Sequence, residues 1–312
     1  RLVGSEMCIR DSPMYYDLAA DTWGPEEKAA IKEVIDSGRL TMGPKVSEFE
    51  AAFAQYFGRK HAVMVNSGSS ANLVGIASLF YRSKNPLRRG DEVIVPAIAW
   101  STTYFPLQQY GLKLRFVDVE LDTLNIDVSQ LNEAISDKTR LIIGVSVLGN
   151  PAALDVIREF SDQNNLIFFE DNCESMDAEL GGQKTGSFGD VGTFSTFYSH
   201  HISTIEGGVL TTNDDELNDI ARSIRAHGWT RDIRENTQIF ESRDDEFFEA
   251  YRFIIPGFNV RPQEINAAIG IEQLKKLPAM TEGRRSNLST INKLFSFAIL
   301  IISSISQAWP KR

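Results

Sequence analysis

Two adjacent histidines, His200 and His201, stand late in the run Gly186-Ser-Phe-Gly-Asp-Val-Gly-Thr-Phe-Ser-Thr-Phe-Tyr-Ser-His-His-Ile-Ser-Thr-Ile-Glu-Gly-Gly208. An imidazole has an ordinary pKa of about 6.5, so it can take up and return a proton near neutral pH. Such a general base is worth about 10²–10⁴-fold when positioned. Upstream, Phe168-Phe-Glu-Asp-Asn-Cys-Glu174 ends an apolar run in a carboxylate-rich turn. An acid at the carboxyl end of a parallel strand faces the crevice where α/β folds bind ligands. Asp171 is typed to pair with a protonated ring nitrogen and so make that ring an electron sink. A helix-capping aspartate is the other reading of the same residue. A third stretch, Asn66-Ser-Gly-Ser-Ser-Ala-Asn72, is small and hydroxylated. Backbone N–H groups at a helix N-terminus there can hold a phosphate, although a plain strand-to-helix turn has the same composition.

These groups need a scaffold, and the sequence supplies one. Short β-rich runs are expected at His61–Asn66, Glu92–Pro96, Lys113–Val117, Leu141–Val147, Leu166–Glu170, Val191–Phe194 and Gly208–Thr211. They lack strict alternation, which suits strands buried on both faces. Helices are expected at Pro25–Ser37, Ser47–Tyr56, Ser69–Tyr81, Leu154–Asn164, Asp215–Ala226 and Pro262–Leu277. The alternation implies a parallel sheet with crossover helices.

At 312 residues the chain has room for one large α/β domain and part of a second. Its apolar fraction of 42% and charged fraction of 24% place it among soluble globular proteins. The net charge of −10 and the absence of a clustered Lys/Arg tract argue against a nucleic-acid surface. Two cysteines, Cys8 and Cys173, make no disulfide framework and point to the cytoplasm. No run reaches the roughly 18–20 apolar residues of a membrane span. The segment Arg1–Ser12 has no periodicity and reads as a linker or adaptor. Beyond about Arg285 the composition turns to Ser, Ile, Leu and Phe, as a frameshifted or truncated frame would; a divergent terminal helix is the alternative.

Taken together, the glycine loop, the Glu-Asp turn and the Phe-Ser segment occur in the order and spacing of fold-type-I enzymes that use pyridoxal 5'-phosphate (PLP). From about Tyr15 to Arg285 the chain resembles the DegT/DnrJ/EryC1/StrS family of PLP-dependent sugar enzymes. In that family a lysine follows the serine of the Phe-Ser pair by five residues; the fifth residue after Ser195 is His200. A histidine can move a proton but cannot tether the cofactor covalently. A gapped alignment would select His201 instead. The resemblance implies an aspartate aminotransferase-like α/β fold, a mostly parallel sheet with helices on both faces. It also implies a large cofactor-binding domain over 13–255 and the start of a small C-terminal domain over 256–312.

Carried over residue by residue, the resemblance places Gly68 and Ser69 on the cofactor phosphate, with Ser195 adding a hydroxyl. Asp171 would hold the ring nitrogen and Glu174 would stand beside the ring. Pro96-Ala-Ile-Ala-Trp100 resembles the segment whose aromatic residue stacks on the ring, which points to Trp100. Gly257-Phe-Asn-Val-Arg261 resembles the element whose asparagine, here Asn259, reaches the neighbouring subunit's phosphate in a homodimer with shared active sites.

Two branches of the family carry histidine at the lysine position, both sugar 3-dehydratases, and one also holds an iron–sulfur cluster on four cysteines. With Cys173 as its first ligand the others would fall on Arg231, Ile233 and Glu241, so no cluster is expected. Arg225-Ala-His-Gly-Trp-Thr-Arg231 in that region resembles the cluster-free branch. His227 and Arg231 would then lie near the substrate or glutamate carboxylate, or simply form a solvated helix C-terminus. The implied substrate is a nucleotide-linked 4-keto-6-deoxyhexose, GDP-4-keto-6-deoxy-D-mannose first. L-glutamate would convert PLP to pyridoxamine 5'-phosphate (PMP), and His200 would act as base while the C3 hydroxyl leaves. An aminotransferase using Lys184, a non-catalytic ligand-binding protein and an inactive truncated homologue are the alternatives.

Overall fold

The computed structural model describes residues 22–233 and 237–308. The segment Arg1–Ser12, with Cys8, lies outside them. Helices α1 (Pro25–Ser37) and α2 (Pro44–Tyr56) each begin on proline, whose missing N–H costs nothing in a first turn. The chain then runs β1 (His61–Val65), α3 (Gly68–Tyr81), β2 (Glu92–Pro96), α4 (Ser101–Gln109), β3 (Lys113–Val117) and α5 (Leu131–Ala134). Next come β4 (Thr139–Val145), α6 (Leu154–Gln163), β5 (Ile167–Asp171) and a small hairpin of β6 (Glu179–Leu180) and β7 (Gln183–Lys184). The remainder is β8 (Val191–Ser195), β9 (Gly208–Thr212), α7 (Asp215–Arg225), α8 (Glu246–Ala250) and α9 (Glu264–Ala308).

Seven strands form one sheet in the order β1-β9-β8-β5-β4-β2-β3. Strand β9 runs antiparallel to both its neighbours, and the pairs from β8 through β3 are parallel. Side chains alternate between the two faces. Val63 and Val65 of β1 enter the cluster beneath α3 and α7, while Ala62 and Met64 enter the one beneath α2 and α9. Leu141 and Ile143 of β4 join the first cluster, and Ile142 packs on Leu154 and Ile157 of α6. Both faces are covered, which is why the strands read as continuous apolar runs.

Three elements depart from the sequence expectation. Strand β3 is an edge strand, with Lys113 and Phe116 exposed, so its double burial was misjudged. Helix α4 went unforeseen because Pro106 sits inside it, and proline removes a helix hydrogen bond. Helix α9 does not stop at Leu277; it passes through Pro278 and on to Ala308. Among the described residues no helix is long and apolar enough to cross a membrane.

Candidate active site

The carboxyl ends of β1, β2, β4, β5 and β8 surround one cavity of about 510 Å³. Its lining includes Gly68, Ser69, Trp100, Asp171, Glu174, Ser195 and His200. That volume and position are those of a small-molecule site in an open α/β sheet.

Asp171 ends β5 and is nearly buried. Its Oδ2 accepts hydrogen bonds from Asn72 Nδ2 and Thr103 Oγ1, both at 2.8 Å. Its Oδ1 accepts the Cys173 N–H at 3.2 Å. Thr193 Oγ1 in turn donates to Asn72 Oδ1 at 2.6 Å, fixing the amide so that its NH₂ faces the carboxylate. Among the described residues the turn directly after Asp171 leads into β6 and opens no helix, so Asp171 is not a helix cap. Beside it, burial together with Asp171 and Glu174 pushes the Cys173 thiol up, which keeps that sulfur protonated and unreactive.

Ser67 caps α3, accepting the Ser70 N–H at 3.1 Å. That leaves the first N–H groups of the helix, at Gly68 and Ser69, for an anion. Ser69 Oγ donates to Thr102 Oγ1 at 3.0 Å. A Cβ on Gly68 would lie 2.6 Å from Ser195 Cβ and 3.1 Å from Cys173 Sγ, so only glycine lets the loop close over the end of β8. The free N–H pair, the Ser195 hydroxyl and a braced carboxylate 4% exposed fit a phosphorylated pyridine ring. Trp100, 68% exposed, stands at the rim of the cavity.

His200 lines the same cavity. Its Nδ1 lies 2.9 Å from the Cys173 carbonyl oxygen. A carbonyl can only accept, so in the neutral imidazole Nδ1 carries the proton and Nε2 the lone pair. Among the described residues, those around the cavity include no lysine. Lys184 belongs to the β6–β7 hairpin, where it pairs with Asp177 and with Glu179 at 3.3 Å and lies over the Tyr56 ring. It is not available to the cavity.

The family model for the DegT/DnrJ/EryC1/StrS aminotransferases matches residues 21–307. The chain belongs to that family. The GDP-4-keto-6-deoxy-D-mannose 3-dehydratase of Yersinia pseudotuberculosis is 52% identical over 289 residues, 92% of this chain and 74% of the relative. A solved GDP-4-keto-6-deoxymannose-3-dehydratase carrying a His-to-Asn substitution and bound GDP-perosamine superposes with a TM-score of 0.88 at 50% identity. It covers 90% of this chain and 73% of its own. Another, with a trapped PLP-glutamate geminal diamine, has a TM-score of 0.82 at 52% identity, covering 84% and 68%.

Within this member of the DegT/DnrJ/EryC1/StrS family Asn259, His227 and Arg231 lie away from the cavity lining, whereas Glu174 is part of it. Asn259 is exposed, its Oδ1 accepting from Arg261 Nε at 3.1 Å. His227 is exposed with φ +66°, and Arg231 stacks its guanidinium 5.2 Å from the Trp229 ring. Glu174 reaches the Leu148 N–H at 3.3 Å. Sequence reasoning missed Asn72, Thr103 and Thr193, the braces of Asp171; the end of the small-residue loop at Asn72 was the only signal for any of them.

His201 turns away from the cavity, with a buried Nδ1 that has no hydrogen-bond partner and a carbonyl that accepts from Arg284 at 3.1 Å. Burial first, then Arg284 and the neighbouring imidazole of His200, pushes its pKa down to about 4. An unfolded chain protonates this group near pH 6.5, the folded one only near 4. Between those values the unfolded state holds more protons, so stability falls as pH is lowered through that window. His201→Asn is expected to flatten that part of the Tm-against-pH curve. Parallel curves for the two proteins would show that His201 is not the group responsible.

Proposed function

We propose that this chain is a PLP/PMP-dependent 3-dehydratase that removes the C3 hydroxyl of a GDP-linked 4-keto-6-deoxyhexose. The observation that carries the reading is His200, held by the Cys173 carbonyl with a free Nε2, in a cofactor-shaped cavity lined without lysine. The bound cofactor supplies an amine for the sugar's C4 ketone and a ring that accepts electrons. The rest is done by side chains of this chain. Gly68, Ser69 and Ser195 bind phosphate, Asp171 holds the ring nitrogen protonated, and Trp100 and Glu174 flank the ring. His200 Nε2 takes the proton whose removal drives out the C3 hydroxyl. A lysine amine would compete for the cofactor and favour amine transfer, which the histidine does not.

The relatives named for GDP-sugar dehydration, and the one solved with a PLP-glutamate adduct, support GDP-4-keto-6-deoxy-D-mannose and L-glutamate as the reactants. The exposed position of Asn259 supports a homodimer in which it reaches the partner subunit's cofactor phosphate. His227 and Arg231, both exposed beyond the end of α7, fit contacts made across that interface.

Incubation of the PLP-loaded protein with L-glutamate and GDP-4-keto-6-deoxymannose, followed by mass spectrometry of the sugar, tests the proposal. A 3-deoxy keto product with released ammonia is expected. A 4-amino sugar would return the chain to amine transfer, and unchanged sugar would count against catalysis by this polypeptide.

A further inference from the structure

Arg225 opens the Arg225–Arg231 stretch and is among the largest fully buried side chains, 2% exposed. One guanidinium nitrogen donates both to Glu50 Oε1 on α2 and, at 2.8 Å, to the Met64 carbonyl on β1. Glu50 completes the junction by accepting the Met64 N–H at 2.8 Å and pairing with Arg222 at 2.8 Å. A buried ion pair is costly to form and destabilising to break on one side only, so its retention calls for a reason beyond stability.

The main chain around Arg225 supplies that reason. Its carbonyl accepts the Val260 N–H at 3.0 Å, Phe258 N–H donates to the Ile224 carbonyl at 2.7 Å, and His227 N–H donates to the Phe258 carbonyl at 2.7 Å. Asn259 is therefore bracketed by three hydrogen bonds to the end of α7. The approach is tight. A Cβ on Gly228, at φ +90°, would stand 1.6 Å from the Ile255 carbonyl oxygen, and one on Gly257 would stand 2.4 Å from Gly228 N. The Val260 carbonyl also accepts the Asn66 N–H at 3.0 Å. The segment is held at its base while the Asn259 side chain projects outward.

We propose that Arg225 is a positioning residue for Asn259: its buried guanidinium fixes the end of α7, and through it the asparagine lent to the partner subunit. This inference rests on the shared-site dimer proposed above. Arg225 touches no substrate; its effect falls on the partner's site.

Subunit mixing tests it. Arg225→Met, and the double variant Glu50→Gln/Arg225→Met that leaves no buried carboxylate facing an apolar side chain, are compared with Asn259→Ala. Each is expected to weaken PLP retention by about tenfold, the loss of one hydrogen bond to a charged group. Each is then mixed, after subunit exchange, with an excess of catalytically dead His200→Asn protein. In a mixed dimer the dead subunit lends an intact Asn259 to the His200 of the other, so dehydration should return for Asn259→Ala and for both Arg225 variants. A change confined to folding or to the subunit's own cavity would not be rescued. Rescue of Asn259→Ala without rescue of either Arg225 variant overturns the role of Arg225. Failure to rescue Asn259→Ala overturns the shared site, and the role of Arg225 with it.

Discussion

Replacing His200 with asparagine is expected to lower the rate of sugar dehydration by about 10²–10⁴-fold, the usual worth of a positioned general base. Asparagine is chosen because its amide N–H can still donate to the Cys173 carbonyl that now holds Nδ1. The side chain then keeps its anchor and loses only the basic lone pair. Cofactor binding should survive, since Gly68, Ser69, Ser195 and Asp171 are untouched. Single-turnover product formation, read beside the absorbance of bound PLP, separates the two effects. A variant that retains cofactor and wild-type turnover would move the base elsewhere. His201 is a poor substitute because its pKa is pushed down to about 4 and its ring nitrogen is buried away from the cavity. His200→Lys makes the complementary test: an amine at the same place should slow elimination and bring amine transfer into view.

Much of this site was legible before any coordinates. Gly68, Asp171 and His200 lie in three short stretches whose residue types carry their own chemistry, and the sheet brings all three to one cavity. What stayed hidden shares a physical character. The braces on Asp171 come from residues 99 and 68 positions away, and Thr193 reaches Asn72 across 121. Nothing local to Thr103 or Thr193 marks either as a partner. The anchor of His200 is a backbone carbonyl, a group every residue possesses. Strand direction is equally silent: Gly208–Thr212 reads like its neighbours yet runs antiparallel to them, because the apolar pattern encodes burial and not polarity. Helix α4 illustrates the opposite failure. Its local signals, Pro106 above all, speak against helix, and packing of Leu107 into the main core overrides them.

Asp171→Asn is expected to be nearly as damaging, lowering turnover by about 10²–10³-fold, the scale on which loss of one preorganised electrostatic partner is felt. The substitution is isosteric, so packing is preserved and the argument turns on hydrogens and charge. The carboxylate accepts on both oxygens: Asn72 and Thr103 on one, the Cys173 N–H on the other. An asparagine must turn its NH₂ toward one of those donor sets, and either orientation sets donor against donor. Thr193 donates to Asn72 Oδ1 from the far side, so a flip of the Asn72 amide also requires the Thr193 hydroxyl to turn from donor to acceptor. A buried unpaired donor costs about 1–3 kcal/mol, so the melting temperature should also drop. The charge matters more for function. Without it the ring nitrogen of a bound cofactor has no anion to keep it protonated, and the ring accepts electrons poorly when His200 takes its proton. The two consequences can be told apart by measuring Tm and single-turnover rate on the same preparation. A fall in Tm with unchanged rate would leave Asp171 as a structural brace only. A large fall in rate, persisting at temperatures where the variant is fully folded, would assign it the electrostatic role.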